Sequence, residues 1–411
     1  ILPKIMIVCL KYSLYEVVVQ NAEQAKFVQD LENQLDVDVW SAALPSRPGS
    51  ILVSKERKEQ FQQFLQAADI RFTIKAENIR EQVEREAELL AAASTKPSRA
   101  GGHLSFDTIH RYDVVDQYLV SLANRYPGIV KVESAGRSFE GRDIKYLKIS
   151  STNFQDTTKP IVMMESLLHA REWVTLPATL YAIQQLISNP TERQYLQNID
   201  WIIIPIANPD GYEHTHREYR FWRKNRANDY GSCIGVDLNR NFNFLWGSAS
   251  SSVVCSETFH GRSAFSEPET AAIGRIVRQH NDRIKLFLDI HSFGSWMLYG
   301  FGNGTLPSNG LLIHLAGVQM AQAIDAVKWP AHPNYVVGNS ALLLYATSGS
   351  AQDYAQNSGV PLSYTYELPA YENSGGLNGF LVNPYFIEQA GYETWQGIKA
   401  GALFALNNYS Y

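Results

Sequence analysis

Residues 12 to 76 alternate short β-patterned runs with amphipathic stretches. A β-rich run covers Tyr12 to Val19, a helical stretch Ala22 to Gln34 and a second run Asp36 to Trp40. After the turn chemistry of Pro45-Ser46-Arg47-Pro48-Gly49 come the strand-like Ile51 to Val53, a helix from Lys55 to Ala68 and the strand-like Ile70 to Ile74. The order β-α-β-β-α-β predicts a small two-layer sandwich of the split βαβ kind. A charged, alanine-rich helical segment follows from Glu77 to Ala93. Residues 94–102 are then polar and basic, the composition of a linker, and Lys96 and Arg99 offer it to a trypsin-like protease.

Beyond the linker the units lengthen. Pro160 to Ser166, Trp201 to Ile206 and Leu286 to Ile290 are compact apolar runs of the buried-strand type, interleaved with helical stretches such as Trp173 to Ile187 and Thr270 to Gln279. This pattern predicts an α/β domain whose mixed, mostly buried sheet is covered by helices. Ser266-Glu267-Pro268-Glu269 predicts a helix start with Ser266 as its cap. The reading is two domains, 1–99 (sandwich 12–76, connecting helix and linker 77–99) and 100–411.

Composition narrows the classes. With 411 residues, 45% hydrophobic and 19% charged, the chain is long enough to bury a large core. A net charge of −5 without concentrated basic runs argues against nucleic acid as a partner, and no stretch is long and apolar enough to span a membrane. The apolar run Ile5 to Leu10 beside Lys4 fits either the trailing end of a signal peptide or an N-terminal strand. Of three cysteines, Cys233 and Cys255 lie 22 residues apart in a loop-rich stretch. They are either a disulfide, worth roughly 3 kcal/mol by restricting the unfolded chain, or two separate buried thiols. Sequons at Asn303-Gly304-Thr305 and Asn408-Tyr409-Ser410 are compatible with secretion.

Candidate chemistry gathers where strands end. His169-Ala170-Arg171-Glu172 follows the run 160–166, and a histidine and a carboxylate three apart can face one point. His291 follows the run 286–290, so it too sits at a sheet edge, where α/β proteins bind ligands. Two histidines and a glutamate leave a fourth zinc position for water. Asn239 and Arg240 in Val236-Asp237-Leu238-Asn239-Arg240-Asn241, and Arg223 in the aromatic and basic stretch 219–226, are either solvated charge or carboxylate binders. Glu367 interrupts the strand-like run 362–368. A carboxylate there is costly without a partner or a task, so it is a candidate general base or a structural ion pair.

Taken in order, His-Ala-Arg-Glu-Trp (169–173), Asn-Pro-Asp-Gly-Tyr (208–212), Arg-Phe-Trp-Arg-Lys (220–224), Asp-Leu-Asn-Arg-Asn (237–241), Gly-Arg-Ser-Ala-Phe-Ser-Glu-Pro-Glu (261–269), Asp-Ile-His-Ser-Phe (289–293) and Tyr-Glu-Leu (366–368) resemble the metallocarboxypeptidase A/B family. The resemblance covers almost the whole chain and is strongest to digestive procarboxypeptidases of insect gut, with the first 99 residues similar to the activation segment.

That resemblance implies a secreted, extracellular, monomeric zymogen of the gut lumen, cut near Arg99 by a trypsin-like protease and hydrolysing the C-terminal bond of peptides and proteins. It implies one zinc ion on His169, Glu172 and His291, with Asp237 orienting His169, Glu367 as general base and Arg223 at the oxyanion. Asn239, Arg240 and Tyr345 would cradle the terminal carboxylate, and Arg171 and Phe293 would line the upstream path, Phe293 standing where the family usually has tyrosine. Gln352 would form the floor of the specificity pocket, with Gly302, Ser340, Ser350 and Thr365 on its walls. That lining is polar and uncharged, hence A-type or broad neutral specificity. The resemblance also pairs Cys233 with Cys255 and makes protein carboxypeptidase inhibitors further partners. Two other classes share parts of the pattern: a zinc deacylase of amino-acid conjugates, which needs no Asn239, Arg240 and Tyr345 cradle, and a non-catalytic binding module, which would have lost a ligand or Glu367.

Overall fold

The computed structural model describes residues 12–94, 104–371 and 379–409. The run Ile5 to Leu10 with Cys9, the linker residues Lys96 and Arg99, and Ser410 of the second sequon lie outside them. The N-terminal part folds as β1 (Tyr12–Val18), α1 (Ala22–Leu35), β2 (Asp38–Ser41), β3 (Gly49–Ser54), α2 (Lys58–Ala67) and β4 (Arg71–Ala76). This is the β-α-β-β-α-β order expected. Its antiparallel sheet runs β2-β3-β1-β4. Strand alternation splits β1 between two environments. Tyr15 and Val17 face the sandwich core with Leu31, Ile51, Phe61 and Leu65, whereas Leu14 faces the other way, toward Leu52, Trp40, Phe221 and Phe380. The sandwich therefore presents an apolar sheet face to the rest of the protein. Helix α3 (Arg80–Ser94) follows, burying Val83, Glu86, Leu90 and Ala93 along one stripe.

The larger part is built on an eight-stranded mixed sheet. Its strands are β5 (Val130–Arg137), β6 (Asp143–Ile149), β7 (Ile161–Ser166), β8 (Asp200–Ile204), β9 (Ile284–Ser292), β10 (Trp296–Tyr299), β11 (Val336–Asn339) and β12 (Leu362–Leu368), in spatial order β11-β10-β12-β9-β7-β8-β6-β5. Helices α4 (Tyr112–Arg125), α5 (Thr175–Ser188), α6 (Pro268–His280), α7 (Gly310–Asp325), α8 (Ala351–Asn357) and α9 (Pro384–Tyr409) pack around it. Every residue of β7 is buried, because both faces are covered. Val162 and Met164 join Leu180, Ile183, Met320 and Trp395 on one side; Ile161 and Met163 join Ile273, Ile276 and Val277 on the other.

Two local expectations are refined. Helix α6 starts as expected with Pro268 in its first turn, but its N-cap is Glu267 and no side chain caps it. Ser266 instead donates to the Glu267 carboxylate and accepts from Asn241 Nδ2, because Asn241 already binds the backbone of this corner through Ser263 O and Glu267 N. Cys233 and Cys255 are bonded to each other, with a Cα separation of 5.1 Å. Among the described residues no helix is long and apolar enough to cross a membrane.

Candidate active site

Strands β7, β9 and β12 lie side by side and parallel, so their C-terminal ends open on one edge of the sheet. His169 and Glu172 come from the turn after β7, and His291 from the last residues of β9. Their ligand atoms all lie within 4.8 Å of one another, and all three side chains are buried. Glu172 reaches both imidazoles, Oε1 lying 2.8 Å from His169 Nδ1 and Oε2 2.9 Å from His291 Nδ1. The far ring nitrogens are held too, His169 Nε2 by Asp237 at 3.0 Å and His291 Nε2 by Asp289 at 2.8 Å. Two imidazoles whose outer nitrogens rest on carboxylates while the inner ones converge on a third carboxylate form a donor set suited to zinc.

The electrostatics agree with a cation site. Although burial works in the other direction, His169 and His291 hold Glu172 below the usual carboxylate range. Asp237 is buried as well, yet Arg223 and His169 keep it well below its ordinary value. Burial pushes the carboxyl of Glu367 up to about 8, against the pull of His291 and with Glu172 and Asp289 adding to the rise. Glu367 sits on β12 directly across from His291 on β9, which places it beside the three donors without being one of them.

One cavity is lined by His169, Glu172 and His291 together with Glu367, Arg223, Asn239, Arg240, Phe293 and Tyr345, and by Ser340, Ser350, Gln352 and Thr365. Gly302 stands behind that wall. Its carbonyl takes the Thr347 N–H, and a Cβ on it would come within 2.3 Å of Thr347 O, so the wall needs glycine there. Gln352 is 1% exposed, and its side-chain nitrogen and the Ser340 hydroxyl are buried without hydrogen-bond partners. Asn239 is already committed, donating to Asp289 and accepting from Ala351 N, while Arg223 spends Nε and Nη2 on Asp237. Phe293 packs on Phe380 with ring centroids 5.0 Å apart.

Several contacts at this cleft were not legible from the chain. Asp38 pairs with Arg171 at 2.5 Å, and Glu86 grips Arg220 through both oxygens, at 2.7 and 3.0 Å. Arg220 also stacks on Trp173, with its guanidinium 3.6 Å from the ring centroid. Trp40 fills a box between Phe221 and Phe380, at 4.7 and 5.2 Å. The only signal in the sequence was the type of residue. Even that signal is ambiguous, because the Trp40 indole N–H donates to Asp38 Oδ2 at 3.0 Å within the sandwich itself.

Comparison with known proteins gives a consistent picture. Residues 115–397 match the family model described as zinc carboxypeptidase, and residues 15–86 match the carboxypeptidase activation peptide. The chain is 42% identical over 397 residues to carboxypeptidase B of Helicoverpa zea, covering 94% of this chain and 92% of that one. The crystal structure of carboxypeptidase A from Helicoverpa armigera superposes with a TM-score of 0.96 at 57% identity, covering 98% of this chain and all of that one. Bovine thrombin-activatable fibrinolysis inhibitor in complex with tick carboxypeptidase inhibitor superposes with a TM-score of 0.68 at 26% identity, over 74% of this chain and 99% of that one.

Proposed function

Because the chain belongs to the zinc carboxypeptidase family and carries its activation peptide, we propose that it is the dormant precursor of an exopeptidase that removes single, preferentially neutral residues from peptide C-termini. The observation that carries this reading is the convergence of His169, Glu172 and His291 at one strand end with Glu367 across from His291. Those three side chains would hold a zinc ion, which would supply Lewis acidity and allow water to act as nucleophile at neutral pH.

The rest is work for the chain's own groups. Arg240 and Tyr345 bind the substrate's terminal carboxylate, which excludes internal peptide segments, since these would leave the Arg240 charge desolvated and unmatched. Arg223, fixed on Asp237, faces the carbonyl oxygen where negative charge develops, a position at which losing one donor typically costs about 10² to 10³ in rate. Glu367, whose burial-raised pKa the charge of a bound zinc would draw back down, takes the proton of the attacking water onto its carboxylate and delivers it to the nitrogen of the leaving amino acid. Asp237 positions His169, and Arg171 and Phe293 line the upstream path.

In this reading residues 1–99 are the activation segment and 100–411 the enzyme, separated by a trypsin-like cut near Arg99. Secretion, with the gut lumen as destination, accords with the Cys233–Cys255 disulfide. Protein inhibitors of carboxypeptidases would enter the same opened cleft.

Specificity is where relatives give no answer, since those cited carry both A and B names. Ser340, Ser350, Gln352 and Thr365 put no charge in the pocket lining, so a lysine or arginine side chain would be buried without a counter-ion, at a cost of several kcal/mol. Peptides ending in Phe, Leu and Gln are expected to be cut faster than those ending in Lys or Arg. Gln352→Asp is expected to raise kcat/KM for Lys and Arg termini at least about tenfold, the equivalent of about 1.4 kcal/mol. A hundredfold preference of the unaltered enzyme for Lys and Arg over Phe and Leu would sink this assignment.

A further inference from the structure

The turn between β2 and β3 enters the cleft. Leu44 and Arg47 exchange both backbone hydrogen bonds, each 2.9 Å, and this tight closure around Pro45 and Ser46 fixes the backbone of Arg47. Its guanidinium carbon lies 4.2 Å from the centroid of the Trp296 ring, and its side chain lines the same cavity as His169, Glu172 and Glu367. Trp296 is held to the reaction centre by register, since it pairs across β10 and β12 with Glu367. Arg47 Nε and Nη2 are buried and have no hydrogen-bond partner. What holds this cation is therefore the indole face, while burial pushes its pKa down.

We propose that the indole face of Trp296 is a guanidinium-binding subsite at the rim of the cleft, and that Arg47 is its built-in occupant, a plug that lies in the path of any substrate reaching Glu367. The subsite is distinct from the pocket floor, because the stacking partner is Trp296 on β10 and not Gln352 on α8. In the uncut chain it is filled. In the trimmed enzyme it is open to a cationic side chain of a peptide or of an inhibitor. Cation–π pairing that is partly desolvated contributes about 0.5 to 2 kcal/mol, a few-fold to about thirtyfold in affinity. Arg47 is also followed by Pro48. A peptide bond to proline has no N–H and a fixed backbone geometry on its far side, which makes it a poor site for a trypsin-like protease, so the plug outlasts the activating cut.

The inference rests on the proposed exopeptidase reading, and two experiments separate it from that reading. In the first, the full chain and its Arg47→Met variant are assayed uncut on a short blocked dipeptide, then again after trimming. Both trimmed enzymes have the same covalent structure, so equal activity after trimming certifies folding. The uncut variant is expected to be a few-fold to about thirtyfold faster than the uncut parent; equal silence overturns the plug.

In the second, the trimmed enzyme is inhibited with arginine amide, which lacks the carboxylate that Arg240 would bind, and with its neutral isostere citrulline amide. Arginine amide is expected to inhibit at concentrations where citrulline amide does not. That difference should vanish in Trp296→Leu and survive in part in Trp296→Phe. Equal inhibition by the two amides overturns the subsite. A trimmed parent that cuts no peptide at all would instead remove the exopeptidase reading.

Discussion

Glu367→Gln is expected to keep one equivalent of zinc and to lose turnover by about 10²- to 10⁴-fold. The amide has the same size and shape as the acid, so packing on β12 is preserved. The three converging donors are His169, Glu172 and His291, none of which changes. What the variant lacks is a basic oxygen to receive the proton of the attacking water. Metal analysis of the purified variant together with kcat on a blocked dipeptide tests both halves. A chelator should silence the parent enzyme as thoroughly, whereas Glu172→Gln should lose the metal itself, because its carboxylate bridges the two imidazoles. Substantial turnover by Glu367→Gln would take the base role away from this residue.

The second large effect is expected on cutting the chain. Uncut protein should hydrolyse long peptides at least about a hundredfold more slowly than the product of limited trypsin treatment, given that Trp40 and Arg47 line the cavity that holds Glu367. Glu86→Ala is expected to loosen this closure in the uncut chain. Arg220 is 1% exposed and would keep the carbonyls of Arg171 and Phe380 and its stacking on Trp173 but lose its carboxylate, and leaving a buried guanidinium without its carboxylate typically costs about 3–5 kcal/mol. The measurement is residual activity of uncut Glu86→Ala on a long peptide. Should the uncut parent already match its trimmed form, the precursor reading fails.

Local physics explains which parts of the architecture could be read from the chain. The small sandwich was legible because the β-rich residues of β1 and β3 favour strands and the turn residues 45–49 favour a reversal between them. The sheet of the larger part was legible at β7, where six buried residues in a row fit only a strand covered on both faces. The His169 and Glu172 pair was legible because its spacing is short. Contacts between the two parts were not. Glu86 and Arg220 are 134 residues apart, and nothing local marks either as the other's partner. Arg47 reads as one more polar residue in a turn until β10 brings Trp296 beneath it. Ser266 shows the converse failure, a residue of the right type at a helix start that a stronger local network had already engaged.

The anchors of the activation segment have a consequence for how a single cut works. Asp38 on Arg171, Glu86 on Arg220, Trp40 in its aromatic box and Arg47 on Trp296 all lie upstream of Arg99, so hydrolysis there leaves every one of them in place. What changes is the regime in which they operate. While the linker is intact the segment meets the cleft at the effective concentration of a tethered partner, of millimolar order. Once it is cut, the same surfaces meet at the bulk concentration of the protein. If a cut near Arg99 is the activating step, activation would be a dilution event: the segment would depart where the enzyme is sparse, and where it is abundant the severed piece would remain bound as an inhibitor in trans.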